Sequence, residues 1–280
     1  MVASIYRRMN YLIIGAKGML GTALQEVFSA ATAWDLDDID ITQAEATAEK
    51  IAELKPDVVI NAAAYTDVDG AQEEQQQAFL VNEVGVRNVA LAAKAIDATV
   101  VQYSTDYIFP GDKEAGYRED DRTGPAVNVY GESKLAGEHE LDKSEVEYYI
   151  LRTAWLYGPN GKNFVETMLR LADERDELNI IDDQHGSPTY TRDLAAATKE
   201  VIEGDYTPGT YHLVNDGQTT WYGFASKIFE LAGKKMKVKP ITTAEYPLPA
   251  RRPQWSILQN TKGPKLRAWE EALADYIANR

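Results

Sequence analysis

Apolar positions along the chain follow two alternating rhythms. Tyr11–Ile14 is a short continuous run. It is followed by Leu20, Ala23, Leu24, Val27 and Phe28 at i, i+3, i+4, i+7 and i+8, the spacing of one helix face. Ala33–Leu36 reads as a second short strand. "DVVINAAAY" (57–65) and "TVVQYSTDYIF" (99–109) are near-continuous apolar runs, as strands buried on both faces are. Residues 71–96 between them read as a helix, and "EYYILRTAWLYG" supplies a further strand. This alternation predicts an α/β fold, a doubly wound parallel sheet with helices on both faces.

After Tyr157 the rhythm loosens. A helix is expected near residues 163–175, another near 191–203 and a third from about Thr220, with the strand-like "GTYHLVND" and the proline-broken "EYPLPARRPQW" among them. The expected organisation is a Rossmann-like dinucleotide-binding unit over residues 9–157, with segments from about 190 to 232 packing back on it. A smaller, interleaved substrate-binding lobe takes residues 158–280, and residues 1–8 form a leader ahead of Met9.

Composition narrows the chemistry. The chain has 280 residues, 44% hydrophobic and 26% charged, enough apolar material for a sizeable core. It holds no cysteine, which excludes disulfides, thiolate zinc sites and cysteine nucleophiles and is compatible with a reducing cytoplasm. Its three histidines, His139, His185 and His212, lack metal-ligand spacing, so no metal is expected. No G-x-S-x-G elbow and no apolar run of membrane-spanning length occurs. A net charge of −15 argues against nucleic acid and requires that any anionic ligand meet locally placed cations or backbone N–H groups.

Three features carry candidate chemistry. "GAKGMLG" places Gly15, Gly18 and Gly21 between the first strand and the first helix, where glycine permits a tight turn and the helix N-terminus offers N–H donors to a pyrophosphate. Asp35 ends the second strand at the distance where an acid accepts from an adenosine ribose. Lys17, within the loop, suits a 2′-phosphate, so NADPH and NADH both stay open. Ser104, Thr105 and Asp106 stand at the carboxyl end of a strand, where ligands of open α/β sheets sit; capping a turn is the plainer alternative. Tyr130 and Lys134 in "VYGESKLAGEHE" are one helical turn apart. A free phenol, with a pKa of about 10, is a reluctant acid–base group, and a nearby ammonium should lower it. Together these features describe a hydride-transfer site.

The set Gly15, Gly18, Gly21 with "NAAAYT", "YSTDYIF", "NVYGESKLAGE", "LRTAWLYG", "YHLVNDGQTTWYGFA" and "RRPQWSIL" resembles the dTDP-4-dehydrorhamnose reductase family of the extended short-chain dehydrogenase/reductases, from about Met9 to the C-terminus. That resemblance implies reduction of the 4-keto group of a dTDP-linked 6-deoxyhexose by NADPH or NADH, in a cytoplasmic monomer or homodimer. It implies Tyr130 as proton donor, Lys134 as its activator and holder of the nicotinamide ribose, and Thr105 as partner of the reacting oxygen. Gly18, Met19 and Leu20 would line the pyrophosphate, Asp35, Asp40 and Ile41 the adenosine end, and Ala64, Tyr65 and Thr66 the cofactor's middle. Asp106 and Trp155 would touch the sugar nucleotide, and Arg252 its diphosphate.

Some positions depart from the family pattern. Met19 stands where many members have Gln, and Tyr65 where many have His. Thr22-Ala23 replaces a stretch in which some members carry a glutamate of a magnesium-bridged dimer, so that metal dimer is not carried over. Trp155 could equally be core, and the acidic run in "YREDDRTGP" reads as a solvated loop or a substrate cover. An epimerase or 4,6-dehydratase of the same superfamily is one alternative; dehydratases usually carry an acid where this chain has Tyr107. A non-catalytic module like the regulatory subunit of methionine adenosyltransferase is another, against which stands the joint presence of Thr105, Tyr130 and Lys134.

Overall fold

A computed structural model describes residues 9–280; the leader expected at 1–8 lies outside the described residues. Six strands form one sheet in the order Gly209–His212, Tyr148–Thr153, Thr99–Thr105, Val58–Asn61, Tyr11–Ile14, Thr32–Trp34, every pair parallel. The second strand ends at Trp34, short of the Leu36 expected. Leu12, Ile14, Val59, Val100 and Ile150 point to one face, against helices Ala44–Leu54, Val86–Lys94 and Val129–Ser144. Ile13, Ile60, Val101 and Leu151 alternate to the other face, against helices Met19–Val27 and Thr191–Glu203. Each buried aliphatic side chain in these layers contributes about 1.5–3 kcal/mol, so the continuous apolar runs are themselves what places the strands at the centre.

The stretch 71–96 is not one helix. It divides into Gly70–Glu73, Gln75–Phe79, a wide π-turn over Leu80–Gly85 and the helix Val86–Lys94.

A second core lies beside the sheet. Val165, Leu169, Phe224, Ile228, Trp269 and Tyr276 pack together from helices Phe164–Glu174, Trp221–Leu231 and Trp269–Asn279, with Tyr157 and Tyr190 from the short parallel strands Leu156–Tyr157 and Thr189–Tyr190. A parallel pair, Glu177–Ile181 with Lys237–Ile241, flanks them. Residues 191–212 thus pack on the sheet, whereas the helix Trp221–Leu231 belongs to the second core. Among the described residues no helix is long and apolar enough to cross a membrane.

Candidate active site

Strand order reverses direction at Tyr11–Ile14, whose neighbours are the strands that follow it and the one after that; ligands of open α/β sheets bind at such a switch point. Gly15 leaves this strand at φ +82°, and a Cβ there would lie 2.6 Å from the Ala63 amide nitrogen. A Cβ on Gly21 would lie 2.1 Å from the Gly15 carbonyl oxygen, so the loop and the helix touch backbone to backbone. Gly18 begins the helix with no side-chain cap, which leaves its first-turn amides free for an acceptor. A cleft of about 650 Å³ opens here, lined by Gly15, Lys17, Gly18, Asp35, Asp40, Ile41, Ala64 and Tyr65. Met19, Leu20, Gly21 and Thr66 do not line it: the Leu20 side chain is in the core and Thr66 is exposed. The Asp35 carboxylate accepts the Lys17 N–H at 2.7 Å and the Leu36 N–H at 2.9 Å, and the Lys17 ammonium pairs with Asp37.

Asn128 caps the helix Val129–Ser144, its side chain accepting the Gly131 N–H at 2.9 Å. That cap sets Tyr130 and Lys134 against the end of the Thr99–Thr105 strand. The Lys134 ammonium donates to the Tyr103 carbonyl at 2.7 Å; burial pulls its pKa down to about 8 while Glu138 opposes the fall. The Thr105 hydroxyl donates to Asp106 Oδ1 at 2.8 Å. Burial pushes the Asp106 carboxyl up to about 6. Tyr130 is half-buried; burial first, then the Asp106 charge, push its phenol up to about 12, with Thr105 pulling the other way. The expected lowering of the phenol by Lys134 is therefore not what this arrangement produces: the ammonium is turned to a backbone carbonyl, and desolvation wins.

Tyr130 shares a small apolar cluster with Tyr65, which lines the glycine-loop cleft. Its ring also meets that of Tyr107 edge-on at 6.0 Å, and Tyr107 lines a second cavity of about 750 Å³. That cavity lies against the second core, walled by Phe164, Met168, Leu178 and Trp221 together with polar groups that include Glu177, Gln184 and Arg252. Trp155 is not on its wall. It leaves its strand at φ +44° and stacks on Trp221 at 3.5 Å, with Gly186 packed against its indole. Arg252 reaches the cavity, but its guanidinium grips Asp69 at 2.7 and 2.8 Å. The acidic run is solvated only in part: Arg118, Asp120 and Arg122 are exposed, but Glu119 is buried and accepts the Thr261 N–H at 2.8 Å, and Asp121 accepts the Arg118 N–H at 2.7 Å.

Sequence reading missed Asn82. It is buried in the π-turn, accepts the Tyr65 N–H at 2.9 Å, and donates to the Tyr65 carbonyl at 3.0 Å and to Ser133 Oγ at 2.9 Å. It thus ties the cleft loop to the Tyr130 helix. The available signal was an amide on the apolar side of a helical stretch, where only a partnered one is tolerated.

Comparison with known proteins agrees with this geometry. The family model described as RmlD substrate binding domain matches residues 9–280. The dTDP-4-dehydrorhamnose reductase of Streptomyces griseus is 42% identical, over 97% of this chain and 94% of that protein. The crystal structure of a dTDP-4-dehydrorhamnose reductase from Clostridium acetobutylicum superposes with a TM-score of 0.93 at 43% identity, covering 97% of this chain and 99% of that one. One from Bacillus anthracis, in complex with NADP, gives a TM-score of 0.93 at 39% identity, covering 98% and 100%.

Proposed function

The chain belongs to the dTDP-4-dehydrorhamnose reductase family, and we propose that it reduces the 4-keto group of dTDP-4-dehydro-6-deoxy-L-mannose to dTDP-L-rhamnose with NADPH or NADH. The observation that carries the assignment of roles is the position of Tyr130, with one aromatic neighbour in the glycine-loop cleft and another in the second cavity. The cleft suits a dinucleotide. Gly15 and Gly21 let loop, strand and helix meet backbone to backbone, the uncapped helix start after Gly18 offers N–H donors to a pyrophosphate, and Asp35, Asp40 and Ile41 border the adenosine end. Bound there, the nicotinamide supplies hydride to carbon 4.

The residues of the chain handle the proton and the oxygen. As the C=O π pair moves onto oxygen 4, the Tyr130 O–H bond breaks and its proton passes to that oxygen, leaving a phenolate. The Tyr130 phenol is protonated at neutral pH, as a proton donor in the reducing direction must be, but burial and Asp106 make it a weaker acid than a free phenol, which is why the phenolate it leaves needs a neighbouring positive charge. Thr105 orients the oxygen, and Lys134 supplies the positive charge that offsets the phenolate. Arg252 borders the diphosphate from the cavity wall, Asp106 lies buried behind it beside Thr105, and Trp155 acts through Trp221 rather than by direct contact. No carboxylate follows Asp106, where elimination chemistry would use one; Tyr107 fills that place.

The test is absorbance at the reduced-nicotinamide band, with the keto sugar generated in place by an upstream dehydratase and epimerase. Decay should require the sugar, and Tyr130→Phe should retain cofactor affinity while losing ~10²-fold or more in turnover. Unchanged turnover in that variant removes Tyr130 from the role. No decay with either cofactor, despite nucleotide binding, removes the substrate.

A further inference from the structure

One buried ion pair has no part in the chemistry above. Glu138 lies one turn beyond Lys134 on the helix Val129–Ser144, so the two share a face. Its carboxylate takes Arg152 Nε at 3.0 Å and Nη2 at 2.7 Å, and the two side chains are only 6% and 7% exposed. Arg152 sits on the strand Tyr148–Thr153, opposite Ser104, next to the register position of Thr105. Its guanidinium is held further by the Glu119 carbonyl at 3.3 Å and lies 5.3 Å from the Phe109 ring centre. Stability alone does not account for such a pair. A buried ion pair replaced by apolar residues of similar volume often leaves a protein as stable or more so. What the pair does is hold a carboxylate one helical turn along the same face from a buried ammonium, where it acts on that ammonium through space rather than by direct contact.

We propose that Glu138, gripped by Arg152, is a positioning residue for Lys134, supplying the buried counter-charge that keeps its ammonium in the active site. The proposal rests on the role given to Lys134 above. The surroundings of Lys134 are accounted for element by element. On its own helix it has Tyr130 and Glu138; from the neighbouring strand it meets the Tyr103 carbonyl, with Thr105 and Asp106 beyond Tyr130. Across the ion pair stands Arg152, and behind it Glu119 and His212. Burial and the Arg152 charge hold His212 down to about 4, so it is neutral above that and adds no titration in the working range. Burial pulls Lys134 down and Glu138 alone among these charges pulls it back.

Two variants separate this role from packing. Glu138→Gln keeps the shape and removes the charge. Glu138→Gln with Arg152→Met removes both charges and leaves no buried unpaired ion, so it remains folded where the single variant fails. The readout is the Lys134 titration in cofactor-free protein, followed by NMR of 13Cε-labelled lysine and assigned by its loss in Lys134→Met. The midpoint should fall by roughly one unit or more in Glu138→Gln, and by less in the double variant, which also loses a repelling cation. The basic limb of the turnover profile should move down with it. Midpoints that coincide with wild type in the folded variants overturn the proposal and leave the pair structural. A wild type with no sugar-dependent NADPH oxidation overturns the functional reading instead, while the lysine titration still reports on Glu138.

Discussion

Gly131→Ala places one methyl group where the active site has no space for it. A Cβ on Gly131 would lie 2.2 Å from the Tyr107 carbonyl oxygen and 2.9 Å from its carbonyl carbon. Both are backbone atoms of the short turn Asp106–Ile108, so neither can swing aside. Restoring an ordinary contact requires the helix and the turn to separate by roughly 1 Å. Overpacking of this kind costs about 1–3 kcal/mol. The gain in helix propensity on replacing glycine, about 1 kcal/mol, offsets part of that. The net loss of stability is therefore small, at most a few degrees in Tm. Catalysis should suffer far more. The displaced surfaces carry Tyr130 on one side and Thr105–Asp106 on the other, and ~1 Å of misplacement costs about 10²-fold in rate. The assay is sugar-dependent NADPH oxidation alongside a cofactor-binding titration and a melting curve. Turnover should fall ~10²-fold with cofactor affinity changed far less, because the glycine-loop cleft lies on other elements and only the nicotinamide end meets the displaced helix. Turnover within about threefold of wild type would refute the reasoning, since it would mean that Tyr130 and Thr105 need not be held together.

Gly15→Ala should abolish measurable cofactor binding and lower Tm, because the residue is at φ +82° and its Cβ would meet Ala63 at 2.6 Å. A nucleotide titration that matches wild type overturns this. Asp69→Asn should raise KM for the sugar nucleotide several-fold with little change in kcat, as Arg252 loses a bidentate anchor and the Ala250 N–H a charged acceptor; equal KM would show that Arg252 is held by other means. For Glu119, burial raises the carboxyl, but the Thr261 hydroxyl and N–H outweigh it and hold the pKa below the usual 4.5. A depressed carboxyl contributes stability above its unfolded pKa and loses it as pH falls through the folded value. Glu119→Gln should therefore be less stable by about 1–3 kcal/mol at pH 7. The difference should close in acid, and a difference independent of pH in melting curves contradicts the assignment.

The sheet was legible because its signal is local. Runs such as Val58–Asn61 and Thr99–Thr105 are apolar on both faces, and only a central parallel strand buries both. The glycine loop and the Tyr130–Lys134 pair were legible for the same reason, since each lies within a few consecutive residues. What escaped depends on partners far along the chain. Arg252 reads as an anion's partner until Asp69 is found beside it, 183 residues away. Glu119 reads as part of a solvated acidic run, yet it turns inward to Thr261, 142 residues on. Trp155 was left between core and ligand, and its stack on Trp221 decides that it backs the cavity wall rather than forming it. The pattern over 71–96 is helical throughout. The π-turn that interrupts it carries Asn82, whose amide bonds to Tyr65 and Ser133 across the chain.

The energetics of the site and of its frame pull in opposite directions. Asp106, Tyr130 and Lys134 are each displaced by burial toward their neutral forms, so the ligand-free fold holds three groups that water would solvate better. Such a cluster persists only where the surroundings over-determine it. Here the surroundings are ties between segments distant in sequence. Asn82 joins the cleft loop to the Tyr130 helix, and Asn128 caps that helix while donating to the Arg251 carbonyl at 2.8 Å. Arg252 locks the C-terminal loop to Asp69, and Arg267 grips Asp193 from the other end of the lobe. Each tie joins segments that are separate in the chain, and none uses a group that moves a proton. A substitution in this frame should therefore lower stability and act on the reaction only through position, whereas one in the cluster should lower turnover without a matching loss of stability. Removing a desolvated hydroxyl or carboxyl relieves the fold of a group that water would hold better, even as it ends the chemistry.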